Sequence, residues 1–266
     1  MHIYDKGNAP IDMESLKGRE CFGGLDLAST NDIAALVLVF PPDQNNDKYI
    51  FVPWFWIPAD SIPERVRQHK LKYDVWVKQG HLNATDGSII HYEFIEQKIL
   101  ELNTIYKIKE LAFDEWGATQ MIQRLEDMSK ITYIKFRQGF KSLSPPSKEF
   151  HRLVLDEKVQ HGGHPVLRWM FENVYIETDS AANIKPSKIK SEEKIDGAVS
   201  AIMALDRAIR YIDKPQGGLV IIDTATGEIR RNGQVVVNPD KPKLSEKEEY
   251  EIMRKKMEWD AMFGDD

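Results

Sequence analysis

Apolar and polar positions fall in blocks along the chain, and the blocks predict its elements. Residues 1–19 are polar and irregular and read as a linker or N-terminal extension. Residues 21–27 (CFGGLDL) form a short apolar run, residues 28–32 a polar turn, and residues 33–40 (IAALVLVF) a continuous apolar run closed by Pro41-Pro42. Residues 49–57 form a third run, rich in aromatics and stopped by Pro58. Three strands joined by short turns predict an antiparallel meander. The segment 63–77 is polar and predicts a helix in its first part.

Further along, helical and strand patterns alternate. Residues 92–106 place Ile95, Ile99, Leu102 and Tyr106 at helical spacing. Residues 111–113 are a short apolar run ending in Asp114, residues 119–128 predict a helix and residues 131–136 a strand. Ser144-Pro145-Pro146 opens a helix with Phe150, Leu153 and Val154 on one face; residues 166–173 predict another, followed by a strand at 174–178. Residues 194–212 are a strong helical pattern, with Ile195, Val199, Ile202 and Ile209 on one side. After the Pro/Gly punctuation at 215–218, Asn232-Gly233 between apolar flanks signals a type I′ hairpin. Ser245 with Glu248 forms a capping box, and Ile252, Trp259 and Phe263 make an apolar stripe behind it. The division is therefore 1–19 as extension, 20–213 as one α/β domain, 214–240 as a hairpin-containing extension and 241–266 as a helical tail. The fold class is α/β: a mixed sheet whose first three strands are antiparallel and whose later strands are parallel, flanked by helices.

Composition narrows the class without naming a function. The 266 residues are 42% hydrophobic and 29% charged, which argues against global disorder. No run of 18 uncharged apolar residues predicts a membrane span, and the N-terminus lacks the basic and apolar regions of a signal peptide. The single cysteine, Cys21, excludes an internal disulfide and a Cys-rich zinc cluster and suits a reducing cytoplasm. The net charge of −6 argues mildly against a nucleic-acid coat protein, although residues 240–266, with 9 acidic and 6 basic side chains, contribute half of it.

Candidate chemistry lies in three aspartates. Asp26 follows a buried-looking run, Asp114 closes a strand, and Asp196 interrupts the apolar side of a helix, with Gly197 after it. A carboxylate in a core strand is costly unless paired or metal-bound. Gly197 predicts close approach of another backbone or of a ligand. Converging carboxylates make a hard-cation site suited to Mg²⁺, and two such ions stabilise both attacking and leaving oxygens in phosphodiester cleavage. The bland alternative for each aspartate is a turn or a helix cap, and for Asp32, across the turn from Asp26, that alternative is the stronger one. His161 and His164 with Asp156 lack a clear third partner for zinc and suit a structural or substrate-side role. Lys185, Lys188, Lys190 and Lys194 precede or flank Asp196 as either a solvated loop or a phosphate contact. Trp54, Trp56, Trp76 and Trp169 read as core aromatics, and no P-loop motif occurs.

Residues 23–32 (GGLDLASTND) resemble the first motif of the nuclease domain of tailed-phage terminase large subunits. Residues 113–118 (FDEWGA) resemble the second, and 185–188 (KPSK) followed by 194–198 (KIDGA) the third. Residues 137–140 (RQGF), 161–169 (HGGHPVLRW) and Asn173 also fit, so the resemblance spans residues 16–212 in order. It implies an RNase H-like fold and a two-metal DNA endonuclease that cuts concatemeric viral DNA during packaging. Asp26, Asp114 and Asp196 carry over as catalytic metal ligands, with Asp32 as an auxiliary candidate. The implied cofactors are two divalent cations, Mg²⁺ or Mn²⁺, one between Asp26 and Asp196 and one between Asp26 and Asp114. Lys188, Lys190 and Lys194 are the candidates for DNA binding. His164 stands where the family more usually has Asn before the Pro. Implied partners are double-stranded DNA, an N-terminal packaging ATPase domain, the small terminase subunit and the portal, in the host cytoplasm and away from membranes. Two rival readings are an actin-like or sugar-kinase-like phosphotransferase, from the similarity of residues 24–30 to that superfamily's phosphate loop, and a non-catalytic docking module for portal or capsid built on the tail.

Overall fold

Seven consecutive buried residues, Ala34–Phe40, form β2, the middle of the sheet. A strand covered on both faces reads as an unbroken apolar run, as this one does. β1 (Glu20–Asp26) and β3 (Tyr49–Pro58) pair with it antiparallel on either side. β4 (Asn83–Thr85) lies parallel to β3, while β5 (Lys107–Asp114) and then β6 (Thr132–Phe136) extend the sheet in parallel beyond β1. The order is β4-β3-β2-β1-β5-β6, with β7 (Val159–Gln160) also pairing β3 in parallel. This is the mixed sheet expected, antiparallel first and parallel after. The computed structural model describes residues 1–27, 32–69, 71–213, 220–222, 229–231 and 234–237, and the chain divides into Met1–Ile212 and Asp213–Asp266.

Helices cover both faces. On one, α3 (Tyr92–Ile105) and α4 (Glu115–Met128) pack through Ile95, Ile99, Met121 and Leu125 against Leu25, Leu36, Leu38 and Leu111. The alternate strand residues Phe22, Val37, Val39 and Phe51 point the other way, to α5 (Phe140–Leu155) and α7 (Asp196–Asp213). α6 (Pro165–Glu172) packs beside them on Phe55 and Ile57, together with α2 (Tyr73–Lys78). Trp56 and Trp76 are core residues and Trp54 and Trp169 are partly buried against the core. The face of α7 toward the sheet is built from Ala201, Ala204 and Ala208, which lets its backbone approach β1 closely. A Cβ on Gly24 would stand 2.0 Å from the Ser200 carbonyl oxygen, and Ser200 Oγ donates to Ala35 O at 3.1 Å.

Several elements differ from the sequence pattern for identifiable reasons. β5 begins at Lys107 rather than 111, because the buried Glu110 is paired with Arg207 and reads as polar in a central strand. α5 begins at Phe140, not Ser144, so Pro145 and Pro146 lie inside it; Ser144 Oγ accepts from Ile184 N at 3.1 Å, tying α5 to β9 (Ile184–Pro186), which forms a hairpin with β8 (Ile176–Thr178). The segment at 63–77 is two helices, α1 (Ile62–His69) and α2. At Gly197 a Cβ would stand 2.6 Å from the Phe55 ring and 2.7 Å from the Met170 sulfur, so the missing side chain makes room for these two side chains.

Residues 1–19, polar enough to read as a linker, are fastened to the domain. Tyr4 stacks on His161 with ring centroids 3.9 Å apart, Asp5 takes a bidentate pair from Arg168 at 2.7 and 3.0 Å, and His161 N donates to Gly7 O. Leu16 is fully buried. In Asp213–Asp266, β10 (Val220–Ile222), β11 (Ile229–Arg231) and β12 (Gln234–Val237) form an antiparallel sheet; the turn at Asn232-Gly233, the capping box at Ser245 and Glu248, and the tail 241–266 lie outside the described residues. Among the described residues no helix is long and apolar enough to cross a membrane.

Candidate active site

Two of the three candidate aspartates leave the sheet side by side. Asp26 ends β1 and Asp114 ends β5; these strands are parallel neighbours with Leu25 paired to Phe113, so the two aspartates leave adjacent strand ends whose backbones are about 4.8 Å apart. The third, Asp196, is the first residue of α7, where the positive end of the helix dipole favours a negative side chain. The close seating of α7 on Gly24 brings that first turn to the end of β1. The sequence pattern put Asp114 at a strand end, Asp26 in a buried run and Asp196 near the start of a helix; in the structure each stands at an element end, and packing brings the ends together.

The electrostatics are those of a crowded, dry pocket. Asp26 and Asp196 are buried. Burial pushes the Asp26 carboxyl above its ordinary range; the Lys188 ammonium opposes this, and the charges of Asp196 and Asp114 add to it. Asp196 is likewise raised by burial, against Lys188, with Asp32 contributing. Between the two lies Lys188, whose ammonium pairs with Asp26 Oδ2 and reaches Asp196 Oδ1 at 3.1 Å. Burial works to lower the Lys188 pKa, but these two carboxylates hold it above its usual value. Gln138 Nε2 donates to Asp26 Oδ1 at 3.4 Å, a contact not singled out from sequence although its RQGF segment was noted. Asp196 Oδ2 is buried with no hydrogen-bond partner.

The remaining candidates separate. Lys194 Nζ pairs with Asp32 Oδ2 at 2.8 Å, and Arg65 Nη2 approaches Asp32 Oδ1 at 3.9 Å. Lys190, in the turn after β9, pairs with Glu177 at 3.2 Å, and Lys185, on β9, reaches the same carboxylate at 4.0 Å, so both face the β8 strand. Only Lys188 among the four lysines touches the aspartate cluster. A cleft of about 580 Å³ runs from Lys188 and Asp196 to Asp32, Arg65 and Lys194.

The donor set fits a hard divalent cation: carboxylate oxygens, one of them orphaned, in a buried site that already draws in a positive charge. With the Lys188 ammonium between Asp26 and Asp196, no group of three or more His, Cys, Asp or Glu side chains among the described residues stands ready to hold a metal. That includes the histidines. His161 is stacked on Tyr4 with Nε2 2.9 Å from Tyr4 O, and Asp156 pairs with Arg152 instead.

His164 caps α6, its Nδ1 accepting from Leu167 N at 3.4 Å. Burial, then the neighbouring His81, pushes its pKa down to about 3. A histidine buried neutral contributes stability above its unfolded pKa of about 6.5 and loses it as pH falls toward the folded value. At pH 5 the loss is about 2 kcal/mol. His164→Asn keeps an acceptor for Leu167 N and removes that titration. Its thermal midpoint is expected to fall less than that of the parent between pH 7 and pH 5; parallel curves for the two proteins would refute the account.

The model of one protein family, described as the terminase large subunit, endonuclease domain, matches residues 1–211. The terminase large subunit of Enterobacteria phage HK97 is 33% identical over 201 residues, 75% of this chain and 39% of that protein. Protein YmfN of Escherichia coli strain K12 is 30% identical over 211 residues, 76% of this chain and 46% of that protein. The crystal structure of the HK97 bacteriophage large terminase superposes with a TM-score of 0.69 at 31% identity, covering 77% of this chain and 42% of that one. The chain therefore matches less than half the length of these relatives.

Proposed function

The chain belongs to the family of terminase large-subunit endonuclease domains, and from that membership we propose that it is a metal-dependent endodeoxyribonuclease that cuts concatemeric viral DNA during genome packaging. The observation that carries the reading is the convergence of buried Asp26 and Asp196, with Asp114 alongside, on an enclosed positive charge.

Two divalent cations, Mg²⁺ or Mn²⁺, held by Asp26 with Asp196 and by Asp26 with Asp114, would supply an activated water and neutralise the leaving 3′ oxygen. The chain's own residues then have distinct tasks. Asp26 is the shared ligand, which suits its central, fully enclosed position, and Gln138 orients it by donating to Oδ1. Asp196 offers its orphaned Oδ2 from the start of α7. Lys188 balances the carboxylates when no metal is bound and, once released from them, is placed to meet a phosphate of the cut strand. No recognition-helix or zinc-finger motif occurs in the sequence, so little sequence preference is expected. Partners under this reading are double-stranded DNA, the packaging ATPase region of the full-length protein, the small terminase subunit and the portal, in the host cytoplasm.

With Mn²⁺ or Mg²⁺ present, the protein is expected to nick and linearise plasmid DNA, and EDTA to abolish this. Calorimetric titration should register the same ions independently of cleavage. Undiminished cutting in EDTA, or no metal binding at millimolar concentration, would sink the reading.

A further inference from the structure

The cleft beside the carboxylates holds two cations that the chemistry above leaves unused. Arg65, on α1, and Lys194, just before α7, come from segments far apart in sequence and face the same carboxylate, that of Asp32. Arg65 is the more constrained: its guanidinium lies over the Tyr73 ring at 5.7 Å, and only 16% of the side chain is exposed. Stacking on an aromatic face pre-orients a guanidinium, so little freedom is lost when it binds an anion. Asp32 is steadied by Ile33 N, which donates to Oδ1 at 3.0 Å.

The rest of the cleft wall is largely acidic, with Asp60, Glu64, Glu192 and Glu193. Among the described residues that line it, the groups that attract a phosphodiester are Lys188, which the carboxylates claim, and the Arg65–Lys194 pair. To a guanidinium and an ammonium, a carboxylate and a phosphodiester present similar pairs of anionic oxygens. Asp32 therefore stands on these cations as a backbone phosphate would.

We propose that Arg65 and Lys194 form a phosphodiester-binding subsite next to the metal-binding carboxylates, and that Asp32 is its resident anion, displaced when the DNA backbone enters. The inference rests on the endonuclease reading and assigns Asp32 a task other than metal ligation. The two roles predict opposite signs. Neutralising a resident anion tightens DNA binding, whereas removing a metal ligand weakens metal binding and, with it, DNA binding.

The test uses the full chain, a fluorescently labelled duplex of about 20 base pairs and Ca²⁺ in place of Mg²⁺, with anisotropy read across a salt series. Arg65→Gln and Lys194→Gln are each expected to weaken binding about 5–10-fold and to lower the salt slope by about one. Asp32→Asn, which keeps an acceptor for Ile33 N, is expected to tighten binding about 3-fold or more with Mn²⁺ affinity unchanged by calorimetry. Lys98→Gln, which removes a cation paired with Glu101 on α3, controls for general charge loss. Melting curves verify that each variant folds. The proposal is overturned if Asp32→Asn weakens or does not alter duplex binding, if it lowers Mn²⁺ affinity, or if the two cation variants match the Lys98 control. Unlabelled duplex is expected to compete at micromolar concentration and inorganic phosphate only at tens of millimolar, on the order set by the number of phosphates contacted; equal competition would mark a small-anion site and overturn the DNA assignment. A parent protein that binds no duplex at all overturns the endonuclease reading itself.

Discussion

Asp26→Asn is expected to fold and to cleave plasmid DNA at least about 1,000-fold more slowly, a loss of about 4 kcal/mol of transition-state stabilisation. The size follows from its position. Asp26 is the carboxylate between the other two: Lys188 bridges it to Asp196, and Asp114 leaves the neighbouring strand end. In the proposed arrangement both ions draw on Asp26, so its neutralisation affects both. Folding survives for the same reason that activity does not. The carboxyl is already penalised by burial and by two like charges, so an amide of equal size relieves repulsion, keeps an acceptor for Gln138, and leaves Lys188 paired with Asp196. The thermal midpoint without metal should be unchanged or raised. Asp114→Asn and Asp196→Asn are expected to lose comparable activity, and a double variant little more than either single one, because ligands of one centre fail together. A folded Asp26→Asn protein cutting at the parent rate would remove the catalytic assignment.

Gly24→Ala should be among the most destabilising single-methyl changes in the domain, costing about 3 kcal/mol or more. The new Cβ would stand 2.0 Å from the Ser200 carbonyl oxygen and 2.8 Å from Ala204 N, and these are helix backbone atoms that cannot rotate away. α7 must lift or slide, and Asp196 moves with its first turn. The adjacent Gly23→Ala is the contrast. There the added methyl meets Leu111 and Leu38 side-chain atoms at 3.0–3.3 Å, which can give by a rotamer adjustment, so the cost should be about 1 kcal/mol. Thermal unfolding of the two variants checks this, with a midpoint drop of roughly 10 °C for Gly24→Ala in a domain of this size. Equal midpoints for the two would mean that the α7–β1 approach is looser than described.

The fold was legible wherever burial is one-sided or complete. Residues 33–40 could only be a covered strand, and Ile95, Ile99 and Leu102 could only be one face of a helix. What stayed hidden depended on partners far along the chain. Lys107, Lys109 and Glu110 disguise the start of β5, because Glu110 is neutralised by Arg207, ninety-odd residues later, and no local pattern signals that. Residues 1–19 look like a linker because the groups that hold them, His161 and Arg168, are distant in sequence. In the site, the ends of β1, β5 and α7 announce their aspartates, and the lysine run announces positive charge nearby. Which lysine sits among the carboxylates, and that an arginine from α1 shares Asp32 with Lys194, depends on how the cleft closes in three dimensions.

The fastening of the N-terminal segment bears on how the domain carries tension. A pull applied at Met1 is met first by Tyr4, Asp5 and Gly7, which are held crosswise to the chain by a ring stack, a bidentate ion pair and a backbone hydrogen bond. Further along, Gly18 N donates to Ile105 O and Lys107 N to Arg19 O, so the segment is tied to the domain again just before β1. Strain entering from that end is therefore expected to load the Tyr4, Asp5 and Gly7 contacts, beside α6 and β7, before it reaches the strand that ends in Asp26.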